Sequence, residues 1–231
     1  MNAFPLLLTI YAGFAHAFEA DHLLAVSNIV SRRNNIRMSL KDGIFWGLGH
    51  TSTIVLIGIL VLIFRVNISP ANFHYLEALV GLMLIVLGLY RLRKLLPGAG
   101  IVIHRHGHDH GTDEHHEHLH VHIGDTTEHA HPHSLAYGVG LIHGLAGSGA
   151  LILMVMFQIR EAFNGIIYLI VFGLGSVAGM FFAAGLFSIP FSRRILKAKS
   201  LQATLIMISA ILCVGYGAFV IYKNVFLAYN S

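Results

Sequence analysis

Seven residues near the start of the chain, "HAFEADH" from His16 to His22, place two imidazoles and two carboxylates inside a run that is otherwise apolar. Further imidazoles stand in similar surroundings at His50 and His143. Neutral imidazole and carboxylate together suit borderline divalent cations such as nickel, cobalt, zinc or iron, whereas magnesium and calcium prefer oxygen alone. These ligands bind metal in their deprotonated forms, so Asp21 and the histidines also offer a way to couple metal to proton movement. Glu19 lies three residues from both His16 and His22. It is either a ligand or a carboxylate that orients an imidazole.

The elements that must position these groups are membrane spans. Only 11% of the 231 residues are charged. Six apolar stretches are long enough to cross a hydrocarbon core as helices: Phe4–Val30, Gly43–Phe64, Tyr75–Leu96, Leu135–Phe157, Ile166–Phe187 and Leu201–Tyr222. Continuous runs such as Ile54–Ile63 lack the alternation of a membrane barrel. The expected fold is therefore an all-α membrane protein with six transmembrane helices. The tripeptide Ala15–Ala17 resembles a signal-cleavage site. No Lys or Arg precedes it and the apolar run continues to Val30, so a retained helix is expected. The single cysteine, Cys213, falls in the last span and can form no internal disulfide.

Positive charge sets the orientation. Twelve Lys and Arg follow spans one, three and five: Arg32, Arg33, Arg37, Lys41, Arg91, Arg93, Lys94, Arg105, Arg193, Arg194, Lys197 and Lys199. The other side has only Arg65, Arg160 and Lys223. Both termini are expected outside. "GFAHAF" (Gly13–Phe18) aligns with "GLIHGL" (Gly140–Leu145), "GLGH" (Gly47–His50) with "GLGS" (Gly173–Ser176), and "VLGLY" (Val86–Tyr90) with "CVGYG" (Cys213–Gly217). The offset stays at 126 or 127 residues throughout. A unit of three crossings must invert when repeated, and inverted repeats around interrupted helices are a transporter architecture. The expected organisation is a first repeat over 1–96, a cytoplasmic loop over 97–133 and an inverted second repeat over 134–231.

Ionisable residues within spans mark pathways or partners by default. At ~1.5 Å per residue, His22, His50 and His143 share one level in the inner half of the bilayer, with His16 ~9 Å further out. On an unbroken helix His16 and His22 point ~120° apart. A shared ion therefore requires an interrupted helix or ligation at two stations along a path. His74 and Glu77, at the outer end of span three, read as snorkelling groups.

The central loop differs in kind. It holds twelve histidines, His104, His106, His108, His110, His115, His116, His118, His120, His122, His129, His131 and His133, with six acidic residues among them. Such a segment is expected to be largely disordered. It can bind several divalent ions weakly and so buffer metal beside the membrane.

These motifs resemble a known family. "HAFEADH" fits H-x4-D-H, the signature of the nickel/cobalt transporter superfamily, and "GLGHTSTI" (Gly47–Ile54) resembles its second motif. "FWGLGHT" and "GLIHGLAGSGAL" (Gly140–Leu151) resemble the UreH-type urease-accessory nickel permeases within it. The resemblance implies secondary transport of Ni(II), and of Co(II), across the bacterial inner membrane. It assigns His16, Asp21, His22 and His50 to metal recognition. The departure is six spans in place of eight. The His-rich loop resembles nickel/cobalt efflux permeases, while the Asp21–His22 pair favours uptake.

Two other classes fit the residues less well. "AGSGA" (Ala146–Ala150) in a six-span chain resembles an intramembrane serine protease, but span six contains no histidine to serve Ser148 as base. A haem-carrying subunit would use paired histidines, for which Glu19 and Asp21 are poor neighbours. The expectation is a carrier with no catalytic residues and no cofactor. Its expected partners are a divalent metal ion, lipid and a cytoplasmic metallochaperone, with no nucleic acid.

Overall fold

The computed structural model describes residues 3–31, 33, 35–66, 70–95, 101–108, 116–123, 133–145, 161–191 and 199–227. In chain order the helices are α1 (Ala3–His16), α2 (Ala20–Val30), α3 (Ile36–Leu62), α4 (Pro70–Leu95), α5 (Ser134–Leu145), α6 (Ala162–Ser188) and α7 (Lys199–Ile221). A π-helical turn, Tyr222–Leu227, extends α7, and two strands lie between α4 and α5: β1 (Ile101–His108) and β2 (His116–Ile123).

The first expected span is two helices rather than one. Ala17–Glu19 form a turn in which Phe18 N donates to Ala15 O (2.9 Å) and Glu19 N to His16 O (3.1 Å). Glu19 is extended, at φ −66° and ψ 156°, and α2 starts with Leu23 N donating to Glu19 O. The turn contains no proline. Asp21 lies in the first turn of α2, where its Oδ1 accepts from His22 N at 2.9 Å. Acidic groups are favoured at that positive helix end.

Among the described residues, four helices are long and apolar enough to cross a membrane: α3, α4 from His74, α6, and α7 with its π-turn from Leu201 to Phe226. α1 and α5 are shorter apolar helices, and residues 146–160 of the fourth expected span lie outside the described residues. Large apolar side chains such as Leu7, Leu56, Leu82, Leu174, Phe182 and Leu212 face outward. An apolar exterior over helices of this length is that of a multi-pass membrane protein.

Small residues set the helix spacing, as they do where lipid removes the hydrophobic drive between helices. Gly43 and Gly47 of α3 meet Met180, Ala184 and Val177 of α6, and Gly173 of α6 meets Thr51 of α3. Gly13 of α1 abuts the Phe172 carbonyl of α6, and Gly140 of α5 abuts the Trp46 carbonyl of α3. Gly175 lies against the Ile10 carbonyl, and Gly49 against the Tyr137 carbonyl. Gly81 and Gly217 bring α4 onto α7. Polar ties supplement these contacts: Ser27 and Ser209 share a 2.6 Å hydrogen bond between α2 and α7, and Arg91 of α4 donates to Ser31 O at 2.6 Å.

Between α4 and α5 the described residues include one two-stranded hairpin. β1 and β2 pair antiparallel, with His104 opposite His120, His106 opposite His118, and His108 opposite His116. Histidine at every second position, His104, His106 and His108 in one segment and His116, His118, His120 and His122 in the other, has the period of two that a strand requires.

Candidate metal centre

The break in the first span brings the ligands together. α1 ends on His16, α2 opens with Asp21 and His22, and α3 and α5 contribute His50 and His143. The His22 ring centroid lies 4.6 Å from that of His16, 5.3 Å from His50 and 4.5 Å from His143. His16 and His50 are 5.3 Å apart. His16 therefore does not stand ~9 Å further out, the distance an uninterrupted rise would give. The turn at Ala17–Glu19 folds its ring back onto the level of the others.

Two triads of donor atoms result: His16, His22 and His50, and Asp21, His22 and His143. Within each, the donor atoms lie within 4.8 Å of one another. Ligands on a tetrahedral ion at ~2.0–2.1 Å stand about 3.3 Å apart, so small side-chain rotations close either triad. His22 belongs to both. His22, His50 and His143 are buried, whereas the side chain of Glu19 is 58% exposed. The centre is thus most open on the side of the helix break.

Hydrogen bonding fixes which nitrogens are offered. His16 Nδ1 lies 2.8 Å from Glu19 Oε1, and His22 Nδ1 lies 3.0 Å from Asp21 Oδ1. A carboxylate on Nδ1 selects the tautomer whose Nε2 carries the lone pair and raises its basicity. Among the described residues, both Nε2 atoms, like both ring nitrogens of His50 and of His143, are buried without a hydrogen-bond partner. Each such group costs about 1–3 kcal/mol when left unsatisfied. Four neighbouring rings in that condition are a standing cost, one that a cation among them offsets. His143 Nε2 stands 3.7 Å from Asp21 Oδ2, too far for a hydrogen bond but within range of a shared ion.

Glu19 belongs to neither triad and contacts the centre through its ion pair with His16. Glu19→Gln is expected to weaken nickel binding about tenfold, within the ~10–100-fold range for such partners. Competition of the purified protein with a coloured chelator measures it, and an unchanged affinity would remove Glu19 from the centre.

Several expected residues lie elsewhere. Among the loop histidines, His104, His106 and His108 are on β1, and His116, His118, His120 and His122 on β2. His110, His115, His129 and His131 lie outside the described residues, as does Ser148. His74 pairs with Asn224 Oδ1 at 3.1 Å, apart from the centre. Spacing rules passed over Trp46, the single tryptophan, fully buried with its ring 5.5 Å from His22 and 5.7 Å from His143. Its place four residues before His50, on the same helical face, was the available signal.

Similarity to known proteins accords with this geometry. The family model described as "Cytochrome C biogenesis protein transmembrane region" matches residues 12–219, which include every residue of both triads. The urease accessory protein UreH of Bacillus sp. (strain TB-90) is 32% identical over 221 residues, covering 94% of this chain and 90% of that protein. A high-affinity nickel transport protein of Cupriavidus necator is 29% identical over 87 residues, 36% of this chain and 25% of that protein. No solved structure matches the chain.

Proposed function

This chain belongs to the cytochrome c biogenesis protein transmembrane-region family and is a relative of the urease accessory protein UreH; from that premise we propose that it moves Ni(II), and also Co(II), across the bacterial inner membrane. It is a carrier rather than an enzyme. Its relatives bear the names of a urease accessory protein and a nickel transport protein.

The observation that carries this reading is the meeting of four imidazoles from four helices, with buried ring nitrogens that have no hydrogen-bond partner among the described residues. Imidazole and carboxylate without thiolate suit nickel and cobalt. The ion arrives at Glu19 and His16, where the centre is most exposed. It is held first by His16, His22 and His50, and then passes to Asp21, His22 and His143. His22 thus serves both stations. α1 ends at His16, and the negative end of its dipole favours a cation there. The loop histidines buffer metal at the cytoplasmic face, and a metallochaperone exchanges it there.

The architecture we propose has six spans in two inverted three-helix repeats, with both termini outside. The paired glycine contacts support it. Gly13 against Phe172 and Gly140 against Trp46 are one contact made twice, as are Gly175 against Ile10 and Gly49 against Tyr137. Each residue of one contact is related to its counterpart by 126 or 127 residues, the offset of the sequence motifs.

Nickel and cobalt flux into proteoliposomes, with zinc and manganese as competitors, tests the function. Nickel flux that zinc and manganese fail to suppress is expected, and its absence would overturn the proposal. The same assay on inside-out vesicles separates uptake from efflux, the reading that the His-rich loop favours.

A further inference from the structure

Asp42 is a buried carboxylate that takes no part in the centre, only 1% exposed at the start of α3. Its Oδ2 accepts from Arg33 Nε at 2.6 Å, and its Oδ1 from an Arg33 terminal nitrogen at 2.9 Å. Oδ1 also lies 2.7 Å from Nδ1 of His133, the last histidine of the loop, whose ring stacks on Phe45 at 4.9 Å and 7°. Three chain segments meet there: the end of the α2–α3 connection, the start of α3, and the residue before α5. Each leads to a ligand of the centre, namely His22, His50 and His143.

The arrangement repeats the device found twice in the centre. In His16–Glu19 and His22–Asp21 a carboxylate holds Nδ1 and leaves Nε2 as the donor. His133–Asp42 has the same construction, with the ring plane fixed by Phe45 and the carboxylate's charge balanced by Arg33. Arg33 and Asp42 neutralise one another, so His133 is held without a net charge that would trap a departing cation. Along α3, Asp42, Trp46 and His50 follow at spacings of four, so they share one face. Asp42 lies eight residues, ~12 Å, from His50.

We propose that His133, oriented by Asp42, is a fixed divalent-metal ligand at the cytoplasmic mouth, through which metal is handed between the loop histidines and the intramembrane centre. The proposal rests on the transport reading above and adds to it a defined station. It distinguishes His133, whose ring is held by Asp42 and stacked on Phe45, from the other loop histidines.

The test compares His133→Asn with His133→Ala and His131→Asn in the full chain. Asparagine retains a donor to Asp42 near the position of Nδ1–H but has no nitrogen in place of Nε2. Nickel flux in proteoliposomes at limiting metal is expected to fall about tenfold or more in both His133 variants. It should stay within twofold of wild type in His131→Asn. Nickel titration of the same proteins should show one tighter site lost only when His133 is changed. If His133→Asn matches wild type while His133→Ala fails, His133 is a structural tie to Asp42 and the proposal is wrong. Equal losses in His131→Asn and His133→Asn would make His133 one buffer histidine among twelve and would overturn the proposal equally. Absence of nickel flux in the wild type would instead remove the transport reading, while the titration would still judge the site.

Discussion

His22→Ala is expected to abolish nickel flux in proteoliposomes, a loss beyond about 100-fold and so larger than the ~10–100-fold that outer-shell partners command. His22 is the one residue common to both triads. Its ring is within 5.3 Å of every other imidazole of the centre, and its removal leaves His16 with His50, and Asp21 with His143, as pairs of donors. His50→Ala should follow closely, since it removes the first station, at which the ion is taken up. His143→Ala should cost less, because the first triad remains whole and only the onward station is lost. Flux measured across the three variants gives this ranking. His143→Ala as damaging as His22→Ala would mean a single site in place of two stations.

The second large effect is steric. A Cβ on Gly13 would drive into the Phe172 carbonyl, and one on Gly140 into the Trp46 carbonyl. Backbone oxygens within helices cannot rotate away as a side chain would, so the helices must separate. Overpacking costs typically ~1–3 kcal/mol, occasionally more. Gly13→Val and Gly140→Val are therefore expected to lower the melting temperature in detergent by similar amounts and to abolish flux. Gly140 lies three residues from His143, and displacement of α5 carries that ligand off its station. Gly138 and Gly215 are the controls, because a Cβ added at either would meet nothing within 4 Å among the described residues. Alanine at either should be neutral or stabilising by up to ~1 kcal/mol, since glycine is the poorer helix former. A markedly greater cost for Gly13→Val than for Gly140→Val would count against the two-fold relation.

Much of the centre was legible because lipid makes polar residues conspicuous. His16, Asp21, His22, His50 and His143 stand out from apolar surroundings. The ~120° splay of His16 and His22 on a continuous helix already argued for a break. The place and depth of that break were not legible. Helical rise puts His16 too far out, since periodicity says nothing of a three-residue turn at Ala17–Glu19. Trp46 reads as ordinary core until α2 and α5 are seen to lay His22 and His143 against it. Asp42 was passed over because its partners, Arg33 and His133, come from segments that sequence distance keeps apart. The glycine offsets were legible as a pattern, while their meaning as carbonyl contacts required the packed helices.

The central claim is that the ion sits among these imidazoles, and anomalous diffraction at the nickel absorption edge, from crystals of the full chain grown with nickel, tests it most directly. A peak is expected about 2.0–2.1 Å from His22, shared with His16 and His50 or with Asp21 and His143. Nickel found only on the loop histidines, with none near His22 in a protein that still transports it, would contradict that claim.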